Sequence, residues 1–157
     1  MPSYINQSNY MSFKVLIRYI DDILKEFDQV RGSTNDYISC KLISAVEQHK
    51  IYVENMLNML DGKIEWIPPK HTQCAFGRTY YSTDENHIGK VYGEAVLNQF
   101  KKVGEIHREF HSIAEEIMDR VQQGQNNSIN TLILELAAKS RMLVEQCRKL
   151  VLSLQQN

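Results

Sequence analysis

Along most of the chain, apolar side chains recur three and four residues apart, the period of a helix packed on one face. Met11, Val15, Leu16, Tyr19, Ile23, Phe27 and Val30 predict a first helix that begins near Ser8 or Asn9, both suitable N-caps, and stops at Gly32. Gly32-Ser33-Thr34-Asn35-Asp36 reads as a turn that also caps a second helix, which runs to about Leu60 ahead of Asp61-Gly62. The stripe of this helix is Leu42, Val46, Val53, Leu57 and Leu60, and His49 holds one position in it. Pro68 and Pro69 exclude a helix through 63–73, which becomes a loop pinned by apolar side chains, with Trp66 plugging one end of the core.

Cys74-Ala75-Phe76-Gly77-Arg78-Thr79-Tyr80-Tyr81 has room for two helical turns. Ser82-Thr83-Asp84-Glu85 has the spacing of a capping box, so a helix is expected to begin between residues 83 and 88. A long pattern then runs from Val91 to Gln123 through Ala95, Leu97, Val103, His107, Phe110, His111, Ala114, Ile117, Met118 and Val121, with Gly93 and Gly104 as places for a break or kink. After a turn at 124–128, Leu132, Leu136, Ser140, Leu143, Cys147, Leu150 and Leu154 form the seam of a last helix. The pattern predicts an all-α, up-and-down bundle of four long helices plus a short segment carrying Cys74. It predicts one domain over 1–157, with 1–34 as an extra N-terminal helix and 35–157 as the main bundle.

Composition agrees and removes some functions. The 157 residues include only seven glycines and three prolines, and are 43% hydrophobic and 24% charged, enough for a self-sufficient core. A formal charge of −1 offers no net attraction to nucleic acid or an anionic membrane. No apolar run approaches the ~20 residues of a membrane span, and the N-terminus lacks the basic start and apolar core of a signal peptide. The expected location is the cytoplasm, with Cys40, Cys74 and Cys147 as reduced thiols.

Candidate chemistry centres on His107 and His111, one helical turn apart and able to share a metal ion. His49 lies in a facing stripe, and Cys74 lies on a short segment that could close the site from the side. Three imidazoles and a thiolate form a complete tetrahedral set for zinc. Alone, His49 could equally be a core histidine satisfied by a hydrogen bond. His71 and His87 are expected at the surface, and Glu109, two positions after His107, points away from it to solvent.

Cys-x-Phe-Gly at Cys74–Gly77, the paired Tyr80 and Tyr81, an upstream helical His and a downstream His-x-x-Phe-His resemble the bacterial chemoreceptor zinc-binding (CZB) domain family over roughly residues 38–123, with the last helix expected to belong to the same match. The resemblance implies zinc ligation by His49, Cys74, His107 and His111. It also implies a cytosolic helical bundle, commonly a homodimer, that senses zinc or reactive chlorine for a chemoreceptor (chemotaxis) or diguanylate cyclase (cyclic-di-GMP) partner. Thr79 stands where the family usually has Trp, and Met1 favours a stand-alone chain over a piece of a larger one. The expected function is therefore regulatory, without catalysis. A zinc hydrolase with an open coordination position and a structural helical adaptor are the alternatives.

Overall fold

The computed structural model describes residues 3–31, 37–125 and 128–155, so the turn expected at Gly32–Asp36 and part of that at 124–128 lie outside the described residues. Among the described residues six α-helices follow one another: α1 (Gln7–Arg31), α2 (Tyr37–Leu60), α3 (Ala75–Tyr81), α4 (Glu85–Tyr92), α5 (Glu94–Gln122) and α6 (Asn130–Gln155). The four long ones form an all-α bundle in which α1 packs on α2 and α6, and α5 packs along α6. The short α3 packs along α2 and stacks Phe76 on His107 and Tyr80 on Phe100, so it lies between α2 and α5.

Local chemistry sets the boundaries. The Oδ1 of Asn6, rather than a group on Ser8 or Asn9, receives the Asn9 N–H at 2.8 Å near the start of α1. Asn9 itself is buried and donates from Nδ2 to the Asn130 carbonyl, which ties α1 to the first residue of α6. The seam of α1 is Phe13, Leu16, Ile20, Ile23 and Phe27, spaced by three and four. Met11 and Val15, expected on that seam, are each 50% exposed, because they lie on its edge beside Leu134 and Ala137 of α6. The charged face of α1 does more than meet solvent: Asp21 pairs with Lys50 of α2 and Glu26 with Arg148 of α6.

Downstream, the capping-box spacing gave the right start for α4 through the wrong side chain. Asp84, not Ser82, accepts the Asn86 N–H at 2.9 Å, and Ser82 instead bonds back to the Thr79 carbonyl at the end of α3. Gly93 has φ +95°, a conformation open to glycine at little steric cost, so the long pattern divides there into α4 with Val91 and α5. Ala95 is consequently exposed and Val96 and Phe100 face the core. Gly104, by contrast, lies inside an unbroken α5. A Cβ there would fall 2.4 Å from the Tyr80 hydroxyl, so this glycine admits the ring that stacks on Phe100 and donates to the Phe100 carbonyl at 2.7 Å.

The core runs the length of the bundle through Phe13, Phe27, Ile43, Met56, Leu60, Phe110, Ile117 and Leu143, all nearly inaccessible. Each such side chain contributes about 1.5–3 kcal/mol by leaving water. Six buried polar residues interrupt this core among those described: Asn9, Ser39, His49, His107, His111 and Ser140. Three of them are imidazoles, and these gather at one level of the bundle.

Candidate metal centre

Cys74 is the N-cap of α3. Its Sγ accepts the Gly77 N–H at 3.1 Å and lies 3.6 Å from the His71 carbonyl. The loop ahead of it ends in a turn in which the Gln73 and Cys74 N–H groups both bond to the Lys70 carbonyl. This places the sulfur against α5, 3.2 Å from His107 Nε2. His111, one turn on, has its ring centroid 4.6 Å from that of His107. Ligand atoms of Cys74, His107 and His111 all lie within 4.8 Å of one another, and all three residues are buried.

His49 enters from α2 at the same level. It stands edge-on to Phe110, with ring centroids 4.9 Å apart, and borders a cavity of about 140 Å³ together with Cys74, His111, Tyr52 and Trp66. It lies outside the close trio, and its Nε2 is 2.8 Å from Ser140 Oγ on α6. His71 is half-buried rather than a free surface residue, with its ring 6.5 Å from His107 and 6.4 Å from His111. His87 and Glu109 are exposed, and Glu109 pairs with Lys139. Cys147 is buried on the α6 seam, where burial pushes its thiol up to about 12, and Cys40 is half-buried.

Electrostatics favour neutral imidazoles. Burial, aided by neighbouring rings, pushes His49 down to about 3, His107 to about 2 and His111 to about 4, the last opposed by a backbone bond to Pro69. All three therefore keep free lone pairs at neutral pH. Burial also pushes the Cys74 thiol up, against the Gly77 N–H, which favours the thiolate. A cation at the site would supply what the dry surroundings lack, a charge that holds the sulfur deprotonated.

The donor set fits zinc. Nitrogen and sulfur are its usual ligands, and a tetrahedral ion would hold them ~3.6 Å apart, a few tenths of an ångström beyond the observed 3.2 Å. The buried Nδ1 of His107 has no hydrogen-bond partner, so protein contacts alone leave this ring unsatisfied. Residues 49–118 match the family model of the chemoreceptor zinc-binding domain. That segment is similar to chemoreceptor zinc-binding domains. The matched stretch begins at His49 and contains Cys74, His107 and His111. It is narrower than the 38–123 suggested by the sequence motifs, and α1 and α6 lie outside it. No curated protein and no solved structure matches the chain significantly. Zinc is the ion that the matched family is described as binding, and the Cys74, His107 and His111 group is able to hold a metal ion. No helix among those described is long and apolar enough to cross a membrane.

The depressed imidazoles make the metal-free protein acid-sensitive. Above the ordinary histidine value of ~6.5, folded and unfolded chains both carry neutral rings and the penalty is absent. As pH falls from there toward the folded values of about 4, 3 and 2, the unfolded chain takes up protons that the folded core excludes, and stability is lost. Urea unfolding of zinc-free protein should give a constant stability at about pH 7 to 8. It should then decline below about pH 6.5, by at most ~1.4 kcal/mol per pH unit for each ring. A flat profile down to about pH 4.5 would show that these rings are not buried neutral.

Proposed function

We propose that this chain is a cytoplasmic zinc-dependent regulatory module in which His49, Cys74, His107 and His111 hold one zinc ion and Cys74 is the point at which an oxidant acts. The single observation that supports it most is the buried convergence of Cys74 Sγ with His107 and His111. A closed set of three histidines and one cysteine leaves no position for substrate water, which separates a regulatory site from a catalytic one. The chain acts as one unit: α1 and α6 complete the bundle around the matched segment. As a homodimer, it passes its state to a signalling protein of the chemoreceptor or diguanylate cyclase type.

The thiolate is the reactive group. Its sulfur attacks the chlorine of hypochlorous acid, an S–Cl bond forms, the O–Cl bond breaks and hydroxide leaves. Water then displaces chloride and releases a proton, leaving a sulfenic acid, two electrons more oxidised and a poorer metal ligand. Loosening at Cys74 acts on α3, since this residue is its N-cap, and α3 packs against both α2 and α5. A change there alters how these helices pack, and a partner bound to that surface can read the difference.

Titrating the zinc-loaded protein with hypochlorous acid should release about one equivalent of zinc per chain in step with loss of the Cys74 thiol, as followed by a zinc dye and mass spectrometry. Release with Cys74 still reduced would contradict the reading. A second reading, a zinc hydrolase, draws on one observation: His49 lies outside the trio, as it would if water completed the site. It requires that His49→Ala leave zinc affinity unchanged, whereas the regulatory reading requires a clear loss.

A further inference from the structure

We propose that Ser140 of α6 is a positioning residue for His49, and that this contact carries the state of the metal centre into the C-terminal helix. The inference rests on the ligand set proposed above. Ser140 is 1% and His49 2% exposed, and Oγ and Nε2 lie 2.8 Å apart. The seam around Ser140 is otherwise apolar, with Leu132, Leu136, Leu143, Cys147 and Leu150 all buried. A hydroxyl at that depth is destabilising unless it is hydrogen-bonded, and His49 is the side chain it meets. The position would suit leucine for packing alone. A serine there serves the imidazole.

The chemistry of metal-bound histidine gives the contact its role. An imidazole that ligates through one nitrogen carries its proton on the other, and an acceptor at that N–H fixes the tautomer and the ring's orientation. Ser140 engages Nε2, which leaves Nδ1 for the metal, and His49 borders the same cavity as Cys74 and His111. With the metal on Nδ1, the proton must sit on Nε2 and the Ser140 hydroxyl accepts. Without it, both tautomers are open and the hydroxyl can turn to donate instead. The direction of one buried hydrogen bond thus follows occupancy of the site.

This connection leaves the matched segment. Ser140 lies beyond residue 118, on a helix that also packs against α1, α2 and α5. A change at His49 is therefore felt by an element in contact with all three other long helices.

The test uses the full chain labelled with ¹⁵N-histidine, free and zinc-loaded. Two-bond ¹H–¹⁵N spectra of the zinc-loaded wild type are expected to show His49 protonated at Nε2 and metal-bound at Nδ1, a result that needs no variant. Ser140→Ala is expected to weaken zinc binding by about 10- to 100-fold, the usual effect of removing a partner of a metal ligand. It should also leave mixed His49 tautomers in the zinc-free form and abolish zinc-dependent amide-exchange protection in the middle of α6. Wild-type zinc affinity in Ser140→Ala, or a metal-bound Nε2 on His49, would overturn this proposal while leaving the ligand set in place. Wild-type affinity in His49→Ala would overturn the ligand set and this proposal with it.

Discussion

Replacing Cys74 by alanine is expected to lower zinc affinity by about 10²- to 10³-fold. A structural zinc site is worth about 10–16 kcal/mol, or roughly 2.5–4 kcal/mol for each of four ligands, and every 1.4 kcal/mol is tenfold. The thiolate is also the only anionic donor in the proposed set, so its removal leaves a dication among neutral imidazoles in a dry site. Helix α3 should loosen as well: the Gly77 N–H loses the sulfur that accepts it, and the sulfur contact to His107 is lost, leaving the Phe76 stack as the remaining link. Competition against a chromophoric chelator measures the affinity, and hydrogen exchange over 74–81 reports the helix. Affinity within about threefold of wild type would mean that the sulfur is not a ligand.

Gly77→Ala should come next in size, with a direction opposite to what helix propensity suggests. In an exposed helix, this change stabilises by about 1 kcal/mol. Here a Cβ would fall 1.7 Å from the His71 carbonyl oxygen and 3.3 Å from His107 Cε1, and the first of these is backbone that cannot rotate away. Either α3 or the 70–74 turn must shift, costing about 3 kcal/mol, at the upper end of the overpacking range. Since Cys74 joins the two, its sulfur moves with them, and zinc affinity is expected to fall by about 10- to 100-fold. Urea unfolding and zinc competition measure the two effects. Unchanged stability would show that the segment yields freely.

The long helices were legible because periodicity reports burial directly. Where one face is wide and apolar, as beyond Gly104 in α5, His107, Phe110, His111, Ala114 and Ile117 are buried as expected, with Ile106 added and Met118 and Val121 only partly buried. In α1 the seam was offset, because Met11 and Val15 are apolar without being central, and a stripe alone does not say which of its edges meets a neighbour. The division at Gly93 was one of two glycine breaks the pattern allowed. A positive φ realised it there, while Gly104 stayed helical to admit Tyr80. Capping motifs gave the start of α4 but not the capping atom, since Asp84 competes with Ser82 over the same two residues.

At the site, helical spacing made the His107 and His111 pair visible, and the structure adds Cys74 to it at 3.2 Å. The position of Cys74 could not come from periodicity, because a loop with two prolines carries it there. The resemblance to a known family supplied that link. Two participants were passed over and a third was left open. Gly77 reads equally as a turn glycine or as a place where backbone packs closely beside the site, and the His71 carbonyl against it decides for the second. Tyr52, whose buried hydroxyl lacks a partner beside the same cavity, reads as a core aromatic. Ser140 sits where leucine repeats, and a lone hydroxyl in an apolar seam was the one signal that could have marked it.

X-ray absorption at the zinc edge of the fully loaded protein tests the central claim most directly. The four-residue site predicts one sulfur at ~2.3 Å and three imidazole nitrogens at ~2.0–2.1 Å in tetrahedral coordination, with the sulfur contribution absent in Cys74→Ala. A first shell of nitrogen and oxygen alone in the wild type would contradict it.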